Sequence, residues 1–178
     1  ALAEIGDKTQ LLALALAAKY RRPWPIVSGI LVATLANHLL AGAVGMWVAR
    51  HLGAELLRWG LGLSFLAMAA WMLVPDRLDG PPRTPSRYGV FATTALAFFI
   101  VEMGDKTQIA TVALAAHYDA LVTVVIGTTI GMMVANVPAV LLGNVAAQKL
   151  SRRLMNGIAA LIFVALGIAV LSGADVAL

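Results

Sequence analysis

Apolar residues run along this chain in six long stretches, interrupted by short clusters of charge, proline and glycine: Ala1 to Tyr20, Pro25 to Ala49, Leu56 to Val74, Tyr88 to Tyr118, Leu121 to Ala147 and Leu154 to Ser172. A helix needs about 20 apolar residues to cross a bilayer, and each stretch meets that length. Between the third and fourth, residues 75–87 (PDRLDGPPRTPSR) hold four of the seven prolines and five charges, the composition of a solvated linker. The pattern predicts an all-α polytopic membrane protein of six transmembrane helices. It divides into a first three-helix repeat over 1–74, a cytoplasmic linker over 75–87 and a second three-helix repeat over 88–178, all one integrated domain.

The two halves are copies. Ala3 to Tyr20 aligned with Val101 to Tyr118 gives 11 identities in 18 positions without a gap, including EIGDKTQ against EMGDKTQ. Chance likeness between two apolar helices does not reproduce GDKTQ. Further on, Leu35 to Asn37 (LAN) answers Val134 to Asn136 (VAN). An odd number of helices per copy brings the second copy into the membrane from the opposite side, which predicts inverted repeats. Only Ala1 to Ala3 precede Glu4, whereas Val90 to Val101 precede Glu102, so the chain is expected to start inside a longer first helix.

Composition agrees with a membrane setting. Hydrophobic residues make up 61% and charged residues 12%, with a mean hydropathy of +0.88; a soluble domain carries about 25% charge. The net charge of +4 and pI near 9.9 come from basic residues in short loops, not from one stripe, so nucleic acid is not an expected partner. Placing alternate loops on one side collects Lys19, Arg21, Arg22, Arg77, Arg83, Arg87, Lys149, Arg152 and Arg153, nine of the 13 basic residues, and leaves Arg50 and Arg58 opposite. The positive-inside rule then sets the basic loops in the cytoplasm and both termini outside, in an inner membrane. Trp24, Trp47, Trp59, Trp71, Tyr20, Tyr88 and Tyr118 fall towards segment ends, where interface anchors belong. Gly127 and Gly131 form a GxxxG suited first to close helix packing and second to a homodimer face.

The two remaining basic residues, Lys8 and Lys106, are anomalous. Glu4, Asp7, Lys8, Glu102, Asp105 and Lys106 sit inside apolar segments. Glu102 lies ~21 Å along the helix from Tyr88 and ~24 Å from Tyr118, near mid-depth. An ionisable side chain there costs roughly 2.5 to 3.5 kcal/mol, so six of them need a compensating role. Glu4 and Lys8, like Glu102 and Lys106, are four apart in the favourable order, so each lysine is expected to neutralise a carboxylate of its own helix. Four carboxylates against two lysines leave two negative charges, which one dication or two protons would cancel. Crowded, desolvated carboxylates take up protons readily, and the count therefore implies alternation between a metal-loaded and a doubly protonated site.

Ligand chemistry narrows the ion. With no cysteine in the chain, Glu4, Asp7, Glu102 and Asp105 form an all-oxygen set suited to Mn²⁺, Ca²⁺ or Mg²⁺ as a transported ion, with no prosthetic group. Lys8, Thr9, Gln10, Asn37, Lys106, Thr107, Gln108 and Asn136 are candidate additional site or proton-path residues. Gly6 and Gly104, between the acids, could unwind the helix to expose carbonyls, although close packing is the commoner use of such glycines. His38 is read first as a satisfied core histidine and second as a proton relay. Met103 is read as a packing residue before a soft ligand. No Walker loop, dinucleotide fingerprint or HExxH occurs, and no activated nucleophile is evident, so an enzyme is not expected. A channel or exporter for another cationic solute and a non-transporting membrane assembly factor stand as alternatives.

The doubled EIGDKTQ and EMGDKTQ, each opening a three-helix half, resemble the membrane family with two E-x-G-D-[KR]-[ST] motifs, which includes Golgi manganese/calcium-proton exchangers and bacterial manganese exporters. The likeness spans the chain. It implies a secondary active transporter exchanging Mn²⁺, or Ca²⁺, for protons, with the cation on the motif acids Glu4, Asp7, Glu102 and Asp105. For a bacterial member it implies manganese export driven by inward proton movement.

Overall fold

The computed structural model describes residues 7–74, 89–142 and 152–173. Glu4, Gly6 and the linker at 75–87 therefore lie outside the described residues. Those described form seven α-helices and no strand: α1 Lys8–Tyr20, α2 Pro23–His51, α3 Ala54–Met72, α4 Gly89–Glu102, α5 Lys106–Tyr118, α6 Leu121–Leu142 and α7 Arg152–Ser172. Three of them, Pro23–His51, Leu121–Leu142 and Arg153–Ser172, are long and apolar enough to cross a membrane.

Local chemistry sets the helix ends. Pro23 opens α2, where its missing N–H costs nothing and its fixed φ suits a first turn. α1 and α5 have the same length of 13 residues and end in the same way, on a tyrosine followed by a left-handed residue, Arg21 (φ 51°) or Asp119 (φ 47°). The copy in sequence is thus a copy in backbone geometry. Inside α6, Pro138 withdraws the N–H that would bond the Val134 carbonyl.

One expected element is corrected. Tyr88 to Tyr118 reads as a single apolar helix, but the structure breaks it after Glu102 and restarts it at Lys106. The break turns on Gly104 at φ +77°, a conformation in which a side chain is strained. A β-carbon on Gly104 would meet nothing within 4 Å, so close packing is not its role. The same holds for Gly127, around which the chain leaves open space.

Helices of the first half pack on helices of the second. α2 lies against α4, α5 and α6, and α3 lies against α5 and α7. The contact of α2 with α5 is matched by that of α6 with α1. Small residues permit the closest approaches: a β-carbon on Gly45 of α2 would collide with the Val112 carbonyl of α5. The largest apolar cluster joins Leu12, Leu16, Ile26, Ile30, Phe98 and Val140 of α1, α2, α4 and α6.

Polarity is arranged as a bilayer requires. Leu39, Val122, Ile126, Ile130, Leu161 and Ile168 are exposed, while Thr34, Asn37, His38, Glu102, Asp105, Lys106 and Asn136 are buried. Exposed apolar surface of this extent marks contact with something other than water. Trp24, Trp47, Trp59 and Trp71 stand exposed near the ends of α2 and α3, as a membrane-interface belt needs.

Candidate cation site

Asp7 and Asp105 are the N-cap residues of α1 and α5, in matching extended conformations (φ −74°, ψ 168° and φ −80°, ψ 165°). Neither carboxylate caps its own helix, although an Asp at this position usually accepts from the first-turn N–H groups. Both are buried, at helix ends whose dipoles favour negative charge. The Asp105 carboxylate is thereby directed to a partner elsewhere in the fold.

Asp105 meets Lys8 of α1: the ammonium lies 2.9 Å from Asp105 Oδ1. This pair joins the two halves; of the two expected same-helix pairs, Glu4–Lys8 falls partly outside the described residues, and Glu102–Lys106 is corrected. The physical reason is the helix break. Glu102 ends α4 and Lys106 begins α5, so the four-residue spacing does not bring them onto one helical face. Lys106 instead donates to the Val74 carbonyl just beyond α3, at 3.2 Å, and lies over the Trp71 ring.

Glu102 is fully buried and held by α2. His38 Nε2 is 3.1 Å from Oε1, while Thr34 Oγ1 and Asn37 Nδ2 donate to Oε2 at 3.4 and 3.3 Å. Asn37 Nδ2 also donates to the Phe99 carbonyl of α4, an interhelical bond. His38 was read first as a satisfied core residue, and its carboxylate partner was not foreseen. A buried carboxylate one turn-break away in the fold, not in sequence, is a relation that residue spacing does not carry.

The second asparagine behaves differently. Asn136 Nδ2 donates to the Met132 carbonyl of its own helix at 3.0 Å and touches Met132 Sδ. Beside it, Gln10 of α1 donates to the Ala135 carbonyl at 3.0 Å. Thr129 of α6 lies 3.5 Å from His38 Nδ1. The polar contacts therefore close a ring: α2 to Glu102, across the break to Asp105, to α1 through Lys8, to α6 through Gln10, and back to α2 through Thr129 and His38.

Several oxygens on this ring are left over. Among the described residues, no donor reaches the buried Asp105 Oδ2, Asn37 Oδ1 and Asn136 Oδ1, and Glu102 Oε1, though 3.1 Å from His38 Nε2, accepts no well-formed hydrogen bond either. A stranded buried acceptor costs about 1–3 kcal/mol. The amide orientations are set by the acceptors their Nδ2 atoms serve, so both Oδ1 atoms are true acceptors. Among the described residues, however, no three His, Asp or Glu side chains converge as a ready-made metal cage. An ion held here would draw on amide and backbone oxygens as well.

The other sequence candidates divide. Thr9 is buried on α1. Thr107 accepts from Thr111 through its backbone carbonyl. Gln108 reaches back to accept from the Gly104 N–H, bracing the break. Met103 is 53% exposed, unlike the buried acids beside it. Glu4 lies outside the described residues.

Comparison with known proteins agrees with this architecture. The family model described as Divalent cation/proton antiporter GDT1 matches residues 1–80 and 90–176. A candidate manganese exporter of Vibrio cholerae is 52% identical over 170 residues, covering 95% of this chain and 84% of that protein. A GDT1-like protein of Arabidopsis thaliana is 30% identical over 90% of this chain and 63% of its own length. One from Synechocystis is 28% identical over 91% of this chain and 87% of its own length. No solved structure matches. The chain is an integral membrane protein of the GDT1 family of divalent cation/proton antiporters.

Proposed function

We propose that this antiporter exports manganese from a bacterial cytoplasm in exchange for protons, with calcium as a second substrate, through a site built on Glu4, Asp7, Glu102 and Asp105. The observation that carries the reading is the set of buried acceptors without donors, Asp105 Oδ2, Asn37 Oδ1 and Asn136 Oδ1, on helices that also bring the motif acids inward. Oxygen ligands of this kind suit a hard dication. The printed description of the Vibrio relative supports manganese as the cargo.

In this reading the chain crosses the membrane six times as two inverted repeats, 1–74 and 88–178, joined by a cytoplasmic linker, with both termini outside. The matched geometry of α1 and α5 and the exchanged contacts α2 with α5 and α6 with α1 support that arrangement. The broken helix supplies the site: α4 ends there with Glu102 and α5 begins there with Asp105 as its N-cap, as in other transporters whose discontinuous helices meet at mid-depth. Metal leaves the acids as protons arrive, so the interior never holds the full charge of both.

The test is flux in sealed proteoliposomes. An imposed pH gradient is expected to drive Mn²⁺ uphill with counter-movement of protons, and Asp105→Asn is expected to abolish it while the protein still inserts. Mn²⁺ flux that neither moves protons nor responds to the gradient overturns the exchange. Flux of Ca²⁺ but not Mn²⁺ overturns the manganese assignment alone.

A further inference from the structure

We propose that Lys8 is a tethered counter-ion, displaced from Asp105 by each incoming dication and returning as the ion leaves. The inference rests on the cation site proposed above and adds a residue that sets its affinity and release.

The geometry of the pair is unequal. Asp105 is 1% exposed and fixed at the start of α5, whereas the Lys8 side chain is 24% exposed. The acid must stay, and the lysine has a path towards the surface along its flexible four-carbon stem. Lys8 also satisfies only one carboxylate oxygen; Oδ2 has no donor among the described residues. Asp105 is therefore half engaged by a partner that can leave.

The second copy of the motif sharpens the contrast. Lys106 is 2% exposed, donates to the Val74 carbonyl beyond α3 and packs over Trp71. One motif lysine is anchored at a helix end; the other spans the two halves with its stem partly in the open. Identical residues in a repeated motif thus have different freedom.

Electrostatics makes the displacement necessary. An ammonium 2.9 Å from the ligand oxygen would stand within a few ångströms of any ion bound there, and like charges repel strongly at that range in a medium of low dielectric constant. Departure of Lys8 removes one positive charge as two arrive, so loading raises the charge of the site by one unit only. Its return competes the dication off Asp105, which favours release. A site of carboxylates without such a competitor would bind its cargo tightly and turn over slowly.

The experiment measures Mn²⁺ binding to the purified full-length protein by calorimetry and Mn²⁺ flux in proteoliposomes. Lys8→Gln, which removes the competing charge, is expected to tighten Mn²⁺ binding about tenfold, between the worth of exposed and buried ion pairs, and to slow flux. Lys8→Arg keeps the charge and can fork onto both carboxylate oxygens, so it is expected to weaken binding. Damage to the fold lowers affinity in both variants and cannot produce this opposed order. Binding by Lys8→Gln no tighter than that of the unaltered protein overturns the proposal. If Lys8→Gln does not fold, the arginine variant decides, and unchanged or tighter binding overturns it. Failure of the cation site itself looks different: the unaltered protein binds no Mn²⁺, or Asp105→Asn binds it equally well.

Discussion

His38 and Glu102 face one another at 3.1 Å, both fully shielded from solvent, and tie the middle of α2 to the last residue of α4. Thr34 and Asn37 approach the other carboxylate oxygen from the same helix. The second half has no counterpart: Val137 follows Asn136 where His38 follows Asn37. The repeat is thus asymmetric at the point where its buried acid is held.

This contact predicts a stability change. His38→Ala removes the imidazole that stands 3.1 Å from Glu102 Oε1, the close polar contact of that oxygen among the described residues, and should cost about 1–3 kcal/mol, read as a fall in the melting temperature of the purified protein. His38→Gln can still donate and should lose less. Equal losses in the two variants would assign the effect to packing volume and not to the carboxylate contact.

Gly104 predicts a change that is conformational only. Nothing lies within 4 Å of a β-carbon there, yet φ is +77°. Gly104→Ala should therefore cost about 1–2 kcal/mol through backbone strain, without steric collision. Gly104→Asn, which tolerates left-handed φ better, should recover part of that loss in the same melting assay. An alanine variant as stable as the original would mean that the break at 103–105 does not depend on this torsion.

Much of this architecture is legible in residue order because charge in an apolar run is expensive. The burial of Glu102, Asp105, Asn37 and Asn136 follows from that cost. The break between Glu102 and Lys106 is harder to see, since a uniformly apolar stretch has no polar face whose periodicity could falter. Spacing alone then offers Glu102 and Lys106 as a helical pair. Once the helix stops between them, the partners are set by tertiary contacts: His38 for Glu102, and Lys8 for Asp105 from the other repeat. Gln108 is a candidate site residue by sequence, yet its observed partner is the Gly104 N–H, a local brace whose need appears only with the break.

Two glycines of helical segments should respond oppositely to alanine. Gly45 abuts the Val112 backbone, so Gly45→Ala wedges α2 from α5 and should cost about 1–3 kcal/mol. Gly60 of α3 has open space around it, and Gly60→Ala should stabilise the helix by about 0.5–1 kcal/mol. Melting temperatures of the two variants moving in the same direction would contradict the packing described for α2 and α5.

Asn136 separates stability from ion binding. Its Nδ2 donates within α6, while its Oδ1 is buried with no donor among the described residues. Asn136→Leu removes that stranded acceptor and fills a similar volume with apolar atoms, so the melting temperature should hold or rise, because an unsatisfied polar group costs more than an apolar replacement. If Oδ1 helps to hold the dication, the same variant should bind Mn²⁺ about tenfold or more weakly, the loss expected of one oxygen ligand or of the contacts that orient it. Asn37→Leu is not equivalent, since it also deprives Glu102 and the Phe99 carbonyl of a donor and should lower stability and binding together. A stable Asn136→Leu protein with undiminished Mn²⁺ affinity would remove this amide from the ligand set and leave the carboxylates and backbone carbonyls to hold the ion.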